Sequence, residues 1–191
     1  MDIKIANPGP LGLCGFALTT FFLSAVNAGL LTGKGDVFVV VGLAVFYGGI
    51  AQFAAGMWEF RSGNTFGATA FTSYGAFWLS FAALLLPGFG AAIGVASQTA
   101  IGYYLVGWTV LTGILLLGSF RTNGALALVF IVLFITFLLL AIGNLAPNAN
   151  LVKIGGYTGI ATAILAWYVA LAGLLTGVSG GKINLPTIPL S

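Results

Sequence analysis

The chain has 191 residues, of which 60% are hydrophobic and only 5% carry a charge. A typical soluble domain is about 25% charged, so this composition excludes a soluble surface and predicts that most of the exterior faces lipid. The formal net charge of +3 comes from very few residues. Because they form no basic stripe, we expect no nucleic-acid partner.

Six apolar stretches are long enough to cross a bilayer. A spanning helix needs about 20 apolar residues, since the hydrocarbon core is about 30 Å thick and a helix rises about 1.5 Å per residue. The stretches lie between charges and glycine or proline breaks, at 11–31, 37–58, 67–86, 99–119, 124–143 and 151–176. We therefore predict an all-α integral membrane protein with six transmembrane helices in one bundle, within residues 11–178. An N-terminal segment (1–10) precedes the bundle, and an irregular tail (179–191) follows it.

The basic residues predict the orientation of the bundle. An even number of spans places both termini on one side. That side carries Lys4, Arg61, Arg121 and Lys182, and the other carries Lys34 and Lys153. Cytoplasmic loops are enriched in lysine and arginine, so we expect cytoplasmic N- and C-termini and a multi-pass protein of the plasma (inner) membrane.

The ionisable residues argue against an enzyme. There is no histidine, and the acids are Asp2, Asp36 and Glu59, in the tail, a turn and a helix end. Acid–base catalysis and metal binding both need clustered ionisable or ligand side chains, so we expect no catalytic residues, no metal and no cofactor. With no carboxylate expected near the bilayer centre, a side-chain proton relay is not expected either.

A minority of polar residues interrupts the apolar helices. Serine and threonine can bond the carbonyl one turn back, so Thr19, Thr20 and Thr72 have a structural interpretation beside a functional one. A primary amide in hydrocarbon costs several kcal/mol unless it is hydrogen-bonded or wetted. Gln52 and Asn144 are therefore the stronger candidates for a water-filled path, although bonding within the protein would satisfy them equally well.

Four blocks of sequence are more distinctive than the apolar pattern of the helices. Asn7-Pro8-Gly9-Pro10-Leu11-Gly12-Leu13 begins the first apolar stretch. Here Asn7 is predicted to cap the helix, and Gly9-Pro10 to hold the chain extended or turned before it. The other blocks, in chain order, are Phe46-Tyr47-Gly48-Gly49-Ile50-Ala51-Gln52, then residues 63–75, then Ala141-Ile142-Gly143-Asn144.

In order and spacing these blocks resemble the acetate uptake transporter family, the succinate–acetate permease-like proteins. The resemblance covers about residues 6–178, and Gly9 stands where the family has alanine. It implies a channel or transporter for acetate and related small monocarboxylates, with succinate as a further candidate. It also implies a homohexamer in which each protomer has its own pore.

The resemblance also implies which residues narrow the pore. The family has a phenylalanine, a tyrosine and a leucine at the constriction, and the matching positions are Phe16, Tyr74 and Leu133. From the sequence alone, Leu133 is an ordinary packing residue. The family position matching Ala166 lines the same route. We place Ala166 and Asn7 on the substrate path together with Thr19, Thr20, Gln52, Thr72 and Asn144.

An uncharged path suits a small carboxylate, because neutral donors bind an anion weakly enough to release it. The same lining would suit a neutral solute such as ammonia, urea or a short amide, and a non-transporting scaffold or sensor is a further alternative. Gly155, Gly159 and Ala163 recur every four residues. This spacing lets helices approach closely, either between protomers or within one.

Overall fold

The structure is a computed structural model that describes residues 5–86 and 96–190. Most of the segment between the third and fourth predicted spans, 87–95, lies outside the described residues, as do Asp2 and Lys4. Within the described part, six helices are long and apolar enough to cross a membrane. The predicted six-helix membrane bundle is confirmed.

The helices extend close to the predicted limits. They are α1 (Gly9–Asn27), α2 (Asp36–Ser62), α3 (Thr65–Leu85), α4 (Gln98–Ser119), α5 (Gly124–Leu145) and α6 (Ala149–Val178). Residues Phe46–Ala51, in the middle of α2, form a π-helical turn. Such turns are rare and often lie at functional sites. This one falls on the second sequence block and directly precedes Gln52.

Asparagine side chains cap the N-termini of three of the helices. The Oδ1 atom of Asn64 accepts the N–H of Gly67 at 3.1 Å, and Asn123 does the same for Leu126 at 2.9 Å. Asn148 accepts the N–H of Leu151 in the same way. Each bond satisfies one of the N–H groups that a helix leaves unpaired at its start.

The start of α1 differs from its prediction. Pro8 occupies the cap position with helical dihedral angles, and no side chain caps the helix. Asn7 instead accepts the N–H of Gly9 at 2.9 Å, two residues along the chain. The predicted cap by Asn7 and the extended or turned Gly9-Pro10 are therefore wrong: the helix already begins at Gly9, because Pro10 fits its first turn.

Two glycines with positive φ set helix ends that differ from those predicted. Helix α1 stops at Asn27, four residues early, because Gly29 has φ +73° and the amides of Leu30 and Leu31 turn back to the carbonyl of Ala25. Helix α2 runs to Ser62, four residues further than predicted, and ends at Gly63 with φ +80°. Only glycine adopts these dihedrals without strain.

The helices pack around a shared centre. Helix α6 packs along α1 and α5, α4 packs on α5, and α3 packs on α2. The π turn of α2 touches both α1 and α3. At one such approach, a Cβ on Gly15 would lie 2.7 Å from the carbonyl oxygen of Tyr47, so only glycine fits there.

The small-residue face of α6 packs within the protomer. A Cβ on Gly155 would lie 2.8 Å from the side chain of Leu140, and Gly159 meets Ser24. Ala163 is fully buried. These contacts favour the second of the two alternatives for this motif, close packing of α6 against α1 and α5.

The tail beyond α6 is irregular but lies against the start of α5. The N–H groups of Gly124 and Ala125 donate to the carbonyls of Ile188 and Thr187, at 2.7 and 3.0 Å. The hydroxyl of Tyr168 donates to the carbonyl of Pro186 at 2.6 Å. Ile188 has φ +55°, a strained conformation for a β-branched residue. The tail thus supplies partners to N–H groups at the beginning of α5 and holds one residue under strain to do so.

Candidate pore

Two internal cavities follow one another inside the bundle. The near cavity, at the end of the bundle where α1 begins, has a volume of about 130 Å³ and is lined by α1, α2, α3 and α5. The far cavity has a volume of about 170 Å³ and is lined chiefly by α1, α3, α4 and α5. Each volume accommodates a few water molecules or one small solute.

The two cavities meet at the residues that the family resemblance pointed to. Phe16 and Leu133 line both cavities, and Tyr74 lines the near one. The rings of Phe16 and Tyr74 lie 5.6 Å apart between centroids. The exposed fractions of Phe16, Tyr74 and Leu133 are only 5%, 3% and 3%. We call these three residues the neck.

Contacts on two sides fix the ring of Tyr74. Its hydroxyl lies 3.0 Å from that of Thr112 on α4, which also donates to the carbonyl of Trp108 at 2.7 Å. The ring stacks on Phe137 with the centroids 6.5 Å apart and the planes 8° from parallel. The neck therefore has an apolar face and a tyrosine whose hydroxyl is already engaged.

Gln52 brings an amide into the near cavity. It is fully buried, and among the described residues neither its Oε1 nor its Nε2 atom has a hydrogen-bond partner. Burying an unpaired amide costs on the order of 1–3 kcal/mol. Directly after the π turn, Gln52 thus places an unpaired amide in the wall of the near cavity.

Glu59 also lines the near cavity, and sequence reasoning missed it. The residue lies near the end of α2, as expected, but its exposed fraction is 2%. Its Oε2 atom accepts the side-chain amide of Asn64 at 2.9 Å and the hydroxyl of Ser62 at 3.3 Å. Glu59 was placed at a helix end from the sequence and was not named among the residues of the path. The sequence signal for a buried Glu59 was the presence of two hydrogen-bond donors, Ser62 and Asn64, within five residues of it.

The far cavity carries a different polar set. The hydroxyl of Thr20 has no partner among the described residues, whereas the Asn144 amide donates to the carbonyl of Leu140 at 2.8 Å. Ser24, Asn27 and Thr136 also line this cavity. The wall of the far cavity thus contains the unpaired hydroxyl of Thr20 and the amide of Asn144, whose nitrogen is engaged with the helix.

Of the remaining residues predicted on the substrate path, one lines a cavity and three are packed between helices. Asn7 lines the near cavity. Thr19, Thr72 and Ala166 line neither of the two cavities. Thr19 donates to the carbonyl of Gly15 at 2.9 Å and packs on the π turn, and Thr72 lies against Gly56 between α2 and α3. Ala166 is fully buried in the core.

Most of the aromatic lining could not be recognised from the sequence. Phe71 and Phe130 line the near cavity, and Phe77, Trp78 and Phe137 line the far one. Each belongs to a helix that is apolar on every side, so its hydrophobicity does not tell whether it faces lipid, packing or a cavity.

A six-helix membrane bundle with a cavity on either side of an aromatic neck has the architecture of a membrane channel or transporter. The particular family is shown by the sequence: the chain belongs to the GPR1/FUN34/yaaH family, which it matches over residues 1–191. The resemblance on which the sequence analysis relied is confirmed.

Relatives in this family have been named for different solutes. The chain is 43% identical to the succinate-acetate/proton symporter SatP of Escherichia coli K12, covering 95% of each protein. It is 44% identical to the ammonia transport outward protein 2 of Saccharomyces cerevisiae, covering 91% of this chain and 63% of the yeast protein. The chain spans less than two thirds of the length of several fungal relatives that it matches.

The fold matches a solved structure of the same family. The structure of the bacterial acetate channel SatP superposes with a TM-score of 0.89 at 40% sequence identity. The match covers 96% of this chain and 99% of the other.

Proposed function

We propose that the protein is a membrane channel or transporter, not an enzyme, and that acetate and related small monocarboxylates pass along the near cavity, the neck and the far cavity. The observation that carries the proposal is that both cavities share Phe16 and Leu133. A solute that crosses from one to the other must pass these two side chains and Tyr74.

The chemistry of the lining suits a small carboxylate. Gln52 in the near cavity and Thr20 in the far one each present an unpaired polar group. Among the described lining residues there is no lysine or arginine, so an anion is bound weakly enough to leave again. The methyl group of acetate suits the apolar neck, which admits narrow solutes and closes to water by dewetting. Succinate, which is larger and carries two charges, is a secondary candidate.

A neutral solute is the second candidate. One yeast relative is named for ammonia transport, and Glu59 is the only residue with a formal charge among the described lining residues of the near cavity. Ammonia needs only polar neutral partners and a narrow path, which the same neck provides. A scaffold or sensor without transport is the third alternative.

Flux into proteoliposomes distinguishes these functions. Purified protein is reconstituted, and uptake of labelled acetate, urea and ammonia is compared with that of protein-free vesicles. Saturable acetate uptake that propionate inhibits, without urea uptake, supports the proposal. Uptake of ammonia or urea without acetate supports the neutral-solute channel, and no uptake of any solute supports the scaffold.

We further propose a homohexamer in the plasma membrane with both termini cytoplasmic. The basic residues support the orientation, because Arg61 and Arg121 lie at the same end of the bundle as both termini. The hexamer rests on the family resemblance alone. Native mass spectrometry of the detergent-solubilised protein tests it: six-chain particles support the hexamer, and any other count contradicts it.

A further inference from the structure

Glu59 is a carboxylate in the wall of a path proposed for a carboxylate. We propose that Glu59 is a substrate-contacting residue that makes carboxylate access to the near cavity depend on a proton. The inference rests on the proposed function and adds a named proton site to it. When the side chain is neutral the anion can enter the near cavity, and when it is ionised the anion is repelled.

The geometry leaves one oxygen of Glu59 open to the cavity. Oε2 receives both hydrogen bonds, from Asn64 and Ser62. Oε1 accepts no hydrogen bond from the described residues, and it lies 3.5 Å from where a Cβ on Gly9 would stand. Because Gly9 has no side chain, the space beside that oxygen stays open.

The described groups that face Glu59 cannot neutralise it. They are Ser62 and Asn64 beside it on the chain, Gly67 on α3, and Gly9 at the start of α1. None of them is charged or titratable. Tyr74 is the other titratable residue that lines the near cavity, and its hydroxyl is engaged with Thr112. No described cation lines this cavity.

An ionised Glu59 repels an anion in the near cavity strongly. Two negative charges about 6 Å apart at an effective dielectric constant of about 20 disfavour each other by about a hundredfold in an equilibrium constant. Repulsion of that size would hold the near cavity almost free of anion while Glu59 is ionised. Gln52, Asn7 and Asn64 are neutral polar residues of the same cavity and do not offset a full charge.

Protonation of Glu59 forms one O–H bond and breaks another. A hydronium ion gives its proton to Oε1 of Glu59, so that an O–H bond forms on the glutamic acid and one breaks in the hydronium. The neutral acid then donates a hydrogen bond to an oxygen of the substrate carboxylate. When the substrate leaves, the proton returns to water or leaves on the substrate, and no other bond changes.

The test measures acetate flux against pH with the acetate anion held at a constant concentration. Proteoliposomes contain wild-type protein, Glu59→Gln or Arg61→Gln, and the leak of protein-free vesicles is subtracted at each pH from 5 to 8. Glutamine has the size of glutamic acid but no titratable proton. Arg61 is exposed at the same helix end, so its variant is the matched control for a change of one charge.

We expect wild-type flux to fall with rising pH by up to about tenfold per unit, as for a single titrating group. Glu59→Gln should lose this dependence and at pH 8 pass acetate as fast as the wild type does at pH 5. Arg61→Gln should retain the wild-type profile. A Glu59→Gln variant that keeps the wild-type pH profile overturns the proposal, and so does a folded variant without flux. If the wild type passes no acetate, the proposed function itself fails.

A second variant probes the same group without removing it. Asn64→Asp keeps the oxygen that caps α3 but replaces the donor to Glu59 with a negative charge, which favours a proton on the pair. The pair that shares one proton still carries one negative charge, so anion entry now needs a second proton, and the fall in flux should move to lower pH by at least about one unit. An unchanged profile in a protein of wild-type thermal stability contradicts the role of Glu59.

Discussion

The hydroxyl groups of Tyr74 and Thr112 lie 3.0 Å apart across the contact between α3 and α4. This bond holds the ring of Tyr74 beside Phe16 and Leu133 at the neck. We expect Tyr74→Phe, which removes only the hydroxyl, to lower the free energy of unfolding by about 1 kcal/mol. Thermal unfolding in detergent measures the loss.

Thr112→Val provides the partner variant for that bond. A double-mutant cycle isolates the pairwise energy, so the double variant should be less destabilised than the sum of the two single variants. Full additivity would show that the two hydroxyls do not stabilise each other.

Truncation of a side chain at the neck should change which carboxylates pass through the protein. Leu133 and Leu115 are equally buried leucines, with exposed fractions of 3% and 4%, but only Leu133 lines the cavities. Replacing either with alanine should cost about 2–5 kcal/mol of stability. Only Leu133→Ala should also raise the uptake of butyrate relative to acetate in proteoliposomes. Equal uptake ratios in the two variants would assign Leu133 to packing.

Replacement of Gln52 should lower transport without lowering the stability of the protein. Gln52→Leu removes an unpaired buried amide, so the protein should be as stable as the wild type or gain up to about 1–3 kcal/mol. Acetate flux should fall by about tenfold or more, because the cavity loses its free amide donor. Thr162→Val, at a buried hydroxyl that donates to the carbonyl of Thr158, should leave flux unchanged. A destabilised Gln52→Leu variant with normal flux would make Gln52 a structural residue.

The strain at Ile188 predicts a stabilising substitution. A left-handed conformation costs a non-glycine residue about 1–2 kcal/mol, and the exposed fraction of Ile188 is 68%, so little buried surface is lost on truncation. Ile188→Gly should raise the free energy of unfolding by about 0.5–1 kcal/mol after the entropy cost of glycine. Ile183→Gly, at a half-exposed tail residue with ordinary φ, should lower it. Thermal unfolding that falls for both variants would show that Ile188 is unstrained.

The sequence predicts the spans well because their signal is local. Apolar length alone places the six helices, and a single glycine explains each of the two ends that moved by four residues, Asn27 and Ser62. The π turn was not predicted, because its hydrogen bonds depend on contacts with α1 and α3. Gln52 could be singled out, since a buried amide is costly anywhere in a membrane.

The burial of side chains was harder to predict. Glu59 was expected at a helix end and was not named on the path, yet Asn64 and Ser62 hold it in the cavity wall. Ala166 and Thr19 were placed on the path, but helix packing surrounds both. When a helix is apolar on every side, the neighbouring helices determine which of its faces meets a cavity. The hydrophobic pattern of its own sequence does not.

A cysteine at the neck tests the central claim most directly. The chain has one cysteine, Cys14, so Leu133→Cys in a Cys14→Ser background provides a single reactive site. Acetate uptake is measured before and after treatment with a small anionic methanethiosulfonate. We predict that the reagent reaches this cysteine through the cavities and abolishes uptake, whereas Leu115→Cys in the same background keeps its uptake. Complete modification with unchanged uptake, or a cysteine that never reacts while acetate still passes, would contradict a path through Phe16, Tyr74 and Leu133.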